Sequence, residues 1–295
     1  MEGIIPINKP KGYTSRDVVN EVSKILNIKK IGHTGTLDPI ATGVLVLCMG
    51  KATKISSFIT ALDKCYQTEI LLGVETDTLD ITGNIIKKDK IPSLTEKDIK
   101  TVLLSFVGEI EQEVPLYSAV KVKGKKLYQY ARAQEKVKLP KKKIMIKELN
   151  LIDGPVKVKD GIKFKIECKV SKGTYIRSLI RDIGYCLGTV ATMTSLIRTK
   201  QGQYELSDCY TLDDLRKSNF KIISIKDALL HLPIIKINAE LSNKIRNGAI
   251  VERFFETEKA VILDLDDNVL AIYQIDSKDS NKVRPYQMIF SKHNT

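Results

Sequence analysis

The stretch that decides the fold is residues 162–188, "IKFKIECKVSKGTYIRSLIRDIGYCLG". Its first nine residues, 162–170, alternate between apolar and mostly charged side chains, which predicts a strand with one buried face. The glycine-containing turn that follows leads into a helix that we expect Thr174 to cap. A strand, a turn and a helix in this order place Tyr175 and Arg177 in the first helical turn, beside the end of the strand.

Elements of both kinds lie N-terminal to this unit. A helix is predicted from Ser15, as its cap, to Asn27, and residues 66–72 alternate as a strand does. Thr95 and Asp98 form a capping-box pattern ahead of another apolar helical stripe. Strands and helices follow one another without a regular alternation, so the predicted fold class is α+β.

The hydropathy pattern changes near the C-terminus. After "HLPIIKIN", residues 231–238, short apolar runs alternate with turn residues, which is typical of a small β-rich domain. We therefore expect a larger domain over residues 1–232 and a smaller one over residues 236–295.

The charge of the chain favours a polyanionic partner. The sequence has 48 Lys and Arg against 35 Asp and Glu, a formal net charge of +13. Residues 121–147, called the basic segment below, hold ten Lys and one Arg against one Glu, with Tyr128 and Tyr130 among them. Basic side chains interleaved with aromatic ones suit a nucleic acid with unstacked bases. An anionic membrane surface is the second candidate partner, and a solvated surface that serves only solubility is the third interpretation.

The number and spacing of cysteines and histidines argue against disulfides and metal sites. Five widely spaced cysteines without a C-x-x-C pair predict neither a disulfide framework nor a zinc site, and three histidines show no metal-ligand spacing. No stretch has the length and apolarity of a signal peptide or a membrane span. We expect a cytoplasmic protein that binds no metal.

The segment "GHTGTLDPIATGVL", residues 32–45, presents one carboxylate, Asp38, among three glycines, three threonines and a proline. An isolated Asp-Pro most often makes a local turn. A phosphate-binding loop is excluded because six residues separate Gly43 from Gly50 where four are needed. No serine lies in a G-x-S-x-G turn, and no second acid is singled out for glycosidase chemistry. The residue pattern alone therefore leaves the reaction open.

A family resemblance narrows the choice. The segment "KIGHTGTLDPIATGVLVLCMGKATK" resembles the signature of the bacterial tRNA pseudouridine synthase B family, and four further matches follow the family order along nearly the whole chain. They are "NKPKGYTS", "DKCYQTEILLGVETDTLDITG", "PLYSAVKVKGKKLYQYAR" and "SKGTYIRSLIRDIG" with "LIRTKQGQY". The departures are Gln134 after "AR", Val190 after "LG" and Ile197 within the usual "LRR"; they affect single RNA contacts or a turn.

The resemblance implies a fold and an activity. The fold is a mixed, mainly antiparallel sheet of pseudouridine synthase type, followed by a PUA-like RNA-binding domain. The activity is the isomerisation of uridine to pseudouridine at position 55 in the T loop of tRNA, without a cofactor. The target base must leave its stack before a side chain can reach it. The implied partner is the T arm of tRNA, and a monomer without an obligate protein partner suffices.

The resemblance also implies the site. Asp38 is the catalytic carboxylate, acting either as the nucleophile or as the base that removes a ribose proton. Tyr66 covers a face of the base and can take part in the later proton transfer, and Arg177 pairs with Asp38. The implied substrate-binding residues, besides Tyr66, are Tyr175, Leu196, His33 and Lys9; for Lys9, a structural role in supporting the site is favoured over direct chemistry.

Two other functions remain open at this point. A related enzyme that works within a guide-RNA particle shares the core motifs, although the signature looks bacterial and long basic terminal extensions are lacking. A non-catalytic RNA-binding or RNA-folding protein is the other possibility. Binding alone does not need Asp38, Tyr66 and Arg177 together, which argues against it.

Overall fold

A computed structural model of the protein describes residues 1–290; the last five residues of the expected C-terminal domain, 291–295, lie outside the described part. The strands are β1 (Gly3–Lys9), β2 (Ile31–His33), β3 (Thr42–Met49), β4 (Lys64–Leu72), β5 (Val74–Thr76), β6 (Ile85–Lys88), β7 (Gly108–Glu113), β8 (Lys121–Val122), β9 (Lys125–Lys126), β10 (Lys141–Val158), β11 (Gly161–Val170), β12 (Ala191–Gln201), β13 (Tyr204–Glu205), β14 (Ile234–Lys236), β15 (Val251–Glu252), β16 (Lys259–Leu263), β17 (Val269–Ile275) and β18 (Lys282–Met288). The α-helices are α1 (Ser15–Leu26), α2 (Ser56–Ala61), α3 (Glu96–Ser105), α4 (Leu127–Arg132), α5 (Ile176–Cys186), α6 (Leu212–Arg216), α7 (Ile225–Ala228) and α8 (Ala239–Arg246). Two 3-10 helices span Gly50–Ile55 and Leu206–Asp208.

A nine-stranded sheet forms the larger part of the molecule. Seven of its strands follow the order β1-β3-β12-β4-β11-β10-β7, while β2 pairs with β3 and β13 with β12. Only the β3–β12 pair is parallel, so the expected mixed, mainly antiparallel sheet is confirmed. The strand predicted over residues 162–170 is β11, which lies between β4 and β10. The predicted buried face of β11 is confirmed by Phe164, Ile166 and Cys168.

Of the three helix N-caps predicted from the sequence, one is confirmed and two are wrong. The Thr95–Asp98 capping box is confirmed. Helix α1, however, is capped by Thr14 and not by Ser15, because the Thr14 hydroxyl accepts from the Asp17 backbone N–H while the Ser15 hydroxyl is engaged elsewhere. Tyr175 occupies the N-cap of α5 in place of Thr174.

A hydrogen bond of Thr174 explains why this residue does not cap α5. Its hydroxyl donates to the backbone carbonyl of Ser171, 3.0 Å away, within the turn that precedes α5. Thr174 therefore stabilises the turn between β11 and α5, and the helix starts without a side-chain cap.

Strands β1 and β3 are buried on both faces, which explains their nearly continuous apolar sequences. Leu45, Leu47 and Met49 face a core shared with α1, α3 and α5. Val44, Val46 and Cys48 face a second core. That second core also contains residues of the C-terminal part, namely Val261, Leu263, Ile272 and Ile289.

The C-terminal part is β-rich, as expected. Its five strands follow the order β14-β16-β17-β18-β15 and enclose a third apolar cluster that includes Ile245 of α8 and Phe255. The division of the chain into domains of residues 1–232 and 236–295 stays a prediction. Within residues 1–290, no helix combines the length and the apolar character that a membrane crossing needs.

Candidate active site

A pocket of about 570 Å³ lies where the Asp38 loop, β4, β12 and the start of α5 meet. This volume falls in the range typical of small-molecule sites. Among the residues lining it are Asp38, Tyr66, Tyr175, Arg177, Leu196 and Arg198. Five of the seven residues predicted for the site therefore share one cavity, although they come from four separate parts of the chain.

Asp38 and Arg177 form a two-point ion pair. The Nε atom of Arg177 lies 2.8 Å from Oδ2 of Asp38, and its Nη2 atom donates to Oδ1 at 3.1 Å. The remaining guanidinium contacts are to the backbone carbonyls of Thr78 at 2.9 Å and Tyr117 at 3.1 Å. The Arg177 side chain is 6% exposed and that of Asp38 is 31% exposed. The carboxylate is thus oriented by a buried, planar cation while it stays open to the pocket.

Hydrogen bonds from the N-terminal segment hold the loop that carries Asp38. The Ser15 hydroxyl both donates to the Leu37 carbonyl (3.1 Å) and accepts from the Leu37 N–H (2.8 Å). The Lys9 ammonium donates to the carbonyls of Tyr13 at 2.6 Å and Pro39 at 3.4 Å. These contacts fix the backbone immediately before and after Asp38.

Lys9 does not line the pocket and is fully buried. Burial lowers the pKa of its ammonium to about 8, against an opposing effect of Asp38. In the described structure the Lys9 side chain supports the Asp38 loop, and a direct contact between Lys9 and the substrate stays a prediction. The sequence pattern gave no indication that its partners would be carbonyls of the loop.

Tyr66 and Leu196 form an apolar wall of the pocket. Both are more than nine-tenths buried, and they project from the neighbouring strands β4 and β12. Burial raises the pKa of the Tyr66 hydroxyl, while the positive charge of the nearby Arg198 guanidinium opposes the rise. A tyrosine ring in this position offers a flat apolar surface with a polar tip.

Tyr175 is positioned by a residue that the sequence did not suggest. Gln112 is almost fully buried; its side-chain oxygen accepts from the Tyr175 N–H at 2.8 Å, and its amide donates to the Tyr175 carbonyl at 3.1 Å. Both backbone groups of the helix N-cap are thereby satisfied. Gln112 lies in an alternating strand, β7, but only the long-range contact reveals its role.

His33 is not brought into the pocket. It ends β2, is partly buried, and its Nδ1 atom accepts from the Gly35 N–H at 3.4 Å. Burial lowers its pKa, and Arg16 and Arg198 add to this effect. The imidazole therefore lies beside the loop that leads to Asp38, outside the set of residues lining the cavity.

Three further polar residues in the pocket were missed by sequence reasoning. Arg198 is 1% exposed; its Nη2 atom donates to the Gly35 carbonyl at 3.1 Å. Lys64, which is 6% exposed, precedes Tyr66 by two residues on the same face of β4. Asp80 accepts from the hydroxyl groups of Thr78 and Thr82. Within residues 1–290, no cluster of His, Cys, Asp and Glu is arranged to hold a metal ion.

Comparison with known proteins places this geometry in a family. Residues 23–176 match the model of the TruB family pseudouridylate synthase N-terminal domain, and residues 177–230 match that of the tRNA pseudouridylate synthase B C-terminal domain. The chain is 40% identical to tRNA pseudouridine synthase B of Bacillus cytotoxicus, covering 98% of this chain and 97% of that protein. It is 42% identical to the enzyme of the same name from Geobacillus thermodenitrificans, covering 92% and 91%.

The fold is also similar to that of chains in two solved complexes. A chain from a Cbf5-Nop10-Gar1 complex superposes with a TM-score of 0.73 at 26% identity, covering 98% of this chain and 85% of that one. A chain of an H/ACA ribonucleoprotein with a bound substrate RNA superposes with a TM-score of 0.71 at 24% identity, covering 99% and 86%. The second likeness concerns the fold alone.

The two family models and the curated relatives agree, and the chain belongs to the TruB family of pseudouridylate synthases. The family resemblance inferred from the sequence motifs is thereby confirmed, and so is the expectation of an enzyme of the isomerase class.

Proposed function

We propose that this protein converts uridine to pseudouridine at position 55 in the T loop of tRNA. The observation that carries the proposal is the Asp38 carboxylate, held at two points by the buried Arg177 guanidinium, on a pocket with Tyr66 in its wall. A single partly exposed carboxylate in a preorganised pocket is what this isomerisation requires, because no water has to be activated.

The reaction conserves every atom of the nucleotide. The bond between N1 of the base and C1′ of the ribose breaks, the base turns, and C5 bonds to the same C1′. C5 then loses its proton, and N1 ends with one. Asp38 serves either as the nucleophile at C1′ or as the base that takes the proton from C2′. Either route needs a basic carboxylate oxygen at the sugar, and Arg177 orients it.

The base is extruded into the pocket before reaction. Tyr66 and Leu196 provide apolar surface for it, and Tyr175 lines the same cavity at the start of α5. Proton removal from C5 is the later step in which the Tyr66 hydroxyl acts. In that step a Tyr66 phenolate takes the C5 proton and becomes a phenol, and the positive charge of Arg198 favours the phenolate before the transfer.

The identity values favour tRNA as the free substrate over work within a guide-RNA particle. The chain is about 40% identical to the tRNA-modifying relatives over nearly its full length and 26% identical to the Cbf5 chain. We assign the catalytic role to residues 1–232 and RNA binding to the C-terminal residues 236–295. A monomer acting in the cytoplasm, where tRNA is abundant, is the simplest form of the proposal.

The test is incubation of the purified protein with an unmodified tRNA transcript, followed by mapping of pseudouridine at single-nucleotide resolution. We expect one modified uridine, at position 55, without any added guide RNA. A transcript in which uridine 55 is replaced by cytidine is the control. Modification at other uridines at a comparable rate, or none at all, would overturn the assignment.

A further inference from the structure

The pocket has a second charged region, away from the Asp38–Arg177 pair. We call it the cationic end and define it by Lys64 on β4, Arg198 on β12 and Lys172 in the turn after β11; all three line the cavity. Their charges act on one another, since Arg198 and Lys172 both help to lower the pKa of Lys64. The main cause of that lowering, to about 8, is burial.

In the described part of the chain, the two buried cations of this end have no carboxylate in direct contact, although the charge of Asp63 opposes the lowering of the Lys64 pKa. In residues 1–290, neither Lys64 nor Arg198 has a carboxylate oxygen within ion-pair distance, whereas Arg177 is paired with Asp38. The acid next in sequence to Lys64, Asp63, is bound to Lys147 at 2.6 Å. Burying a cation without a counter-charge is costly, so buried charges are normally paired. An anionic ligand would supply the partner that is missing here.

Backbone carbonyls satisfy the ammonium of Lys64 only in part. It donates to the carbonyls of Thr60 at 2.9 Å and Leu62 at 2.7 Å. An ammonium has three N–H donors, so one is left for a further acceptor. Gly35 borders this end, since a Cβ at its position would lie 3.3 Å from Arg198 Nη1 and 3.5 Å from Lys64 Cε. Ser171 and Gly173, on either side of Lys172, also line the cavity and carry short side chains or none.

The spacing along β4 fixes the distance between Lys64 and Tyr66, the residue proposed to contact the base. Lys64 and Tyr66 are separated by two positions, so their side chains leave the same face of the strand about 7 Å apart along it. When a nucleotide base lies on Tyr66, the phosphodiester groups of that nucleotide are at a similar distance from the tyrosine ring. Arg198, directly across from Tyr66 on β12, borders both regions.

We propose that the cationic end binds a backbone phosphate adjacent to the flipped uridine, with Lys64 as its main ligand. The inference rests on the proposed function and adds a positioning contact to it: the phosphate anchors the nucleotide, so that the sugar lies over Asp38 when the base meets Tyr66. The competing interpretation is that Lys64 only stabilises the end of helix α2 through its carbonyl contacts.

The test uses short T-arm stem-loop RNAs that carry a single neutral methylphosphonate at the phosphate on the 5′ or the 3′ side of the target uridine. Equilibrium filter binding is measured over a range of salt concentrations for the natural protein, Lys64→Met and Lys64→Arg. For the natural protein, one of the two neutral linkages should weaken binding about tenfold or more and lower the salt slope by about 0.7.

The variants separate phosphate binding from helix capping. Lys64→Met should bind the unmodified RNA as weakly as the natural protein binds the neutral RNA, with no further loss when both changes are combined. Lys64→Arg should keep its sensitivity to the neutral linkage. The matched control is Lys100→Met, which removes an exposed lysine of α3 that pairs with Glu96, and it should respond as the natural protein does.

Two results would overturn the inference. One is that neither neutral linkage affects the natural protein, an outcome that does not depend on how the variants fold. The other is that Lys64→Met, with an unchanged melting temperature, loses as much affinity on the neutral linkage as the natural protein does. Pseudouridine formation by the natural protein on the unmodified RNA is scored separately, so a failure of the proposed function is recognised as such.

Discussion

Arg177 of the pocket and the lysines of the basic segment differ in their burial, although Arg177 and several of those lysines are paired with acids. Arg177 is buried and is fixed by one carboxylate and two carbonyls. The lysines of the basic segment lie mostly at the surface, and several are paired with acids from elsewhere, for example Lys143 with Glu109 and Lys147 with Asp63. A count of charges along the sequence cannot separate a cation that is free to bind RNA from one that is already paired.

The basic segment is itself divided in two by the fold. Its first part forms the hairpin β8–β9, in which Lys123 and Gly124 have φ values of +50° and +81°, as a tight two-residue turn requires. Its last part is the start of β10, which pairs with the glutamate-rich strand β7. One lysine of each part is in an ion pair, Lys125 with Glu135 and Lys143 with Glu109. The register also sets Glu113 and Glu111 opposite lysines of β10, so more negative charge lies beside the strand than beside the hairpin.

The two predicted aromatic residues of the segment also differ. Tyr128 lines the pocket, and the Arg132 guanidinium lies 5.5 Å from its ring centre. The Tyr130 hydroxyl donates to the Val122 carbonyl at 2.9 Å. Of the two, Tyr128 alone lines the pocket, while the Tyr130 hydrogen bond joins helix α4 to the hairpin.

The largest effect is expected from Asp38→Asn. The change keeps the size of the side chain but removes the basic oxygen that either route needs, so the single-turnover rate should fall at least about 1000-fold. Binding of tRNA should be unchanged or slightly tighter. The measurement is pseudouridine formation with enzyme in excess over tRNA, with thermal unfolding as the control for folding.

Arg177→Lys should be the next most severe. It keeps one positive charge but loses the planar two-point contact with Asp38, and a carboxylate displaced by about 1 Å costs about 100-fold in rate. The dissociation constant for tRNA should change little. A variant with the natural rate would show that charge alone is sufficient at this position.

Alanine substitutions in the two halves of the basic segment should have smaller effects, and these should differ between the halves in the salt dependence of tRNA binding. Replacing Lys121, Lys123 and Lys126 of the hairpin by alanine should weaken tRNA binding and lower the salt slope by up to about 2 to 3. The matched set in β10, Lys141, Lys142 and Lys143, should lower it by less, because glutamates of β7 lie beside it. Equal slopes for the two sets would contradict the distinction drawn between the halves.

The smallest effect concerns His33. Its pKa is lowered in the folded protein, so between that value and about 6.5 the unfolded chain binds more protons. The free energy of unfolding should therefore rise with pH through this window and fall when the pH is lowered. His33→Gln should flatten part of that slope in denaturant titrations; an unchanged slope would mean that His33 is not held neutral.

Short-range patterns predicted much of the fold. Alternation identified β4 and β11, and the Thr95 capping box identified the start of α3. The cap of α1 was misplaced because the Ser15 hydroxyl is engaged with Leu37, a contact that spans 22 residues. No local rule reports such a partner.

The site could be predicted only where a motif carried it. Asp38, Tyr66 and Arg177 lie in segments that resemble the family, and the structure brings them into one cavity. Gln112 and Lys64 have no local signature; their places follow from the pairing of β4, β11 and β12 and from the packing of β7 beside α5. Strand register across distant parts of the chain is set by the whole core.

The most direct test of the account compares rate and affinity on the same tRNA transcript. Single-turnover rates and dissociation constants are measured in parallel for the natural protein, Asp38→Asn and the hairpin triple variant. We predict that Asp38→Asn loses the rate and keeps the affinity, while the triple variant loses affinity and reaches the natural rate when the protein is saturating. A substantial rate in Asp38→Asn would show that another residue carries the chemistry and would contradict the account.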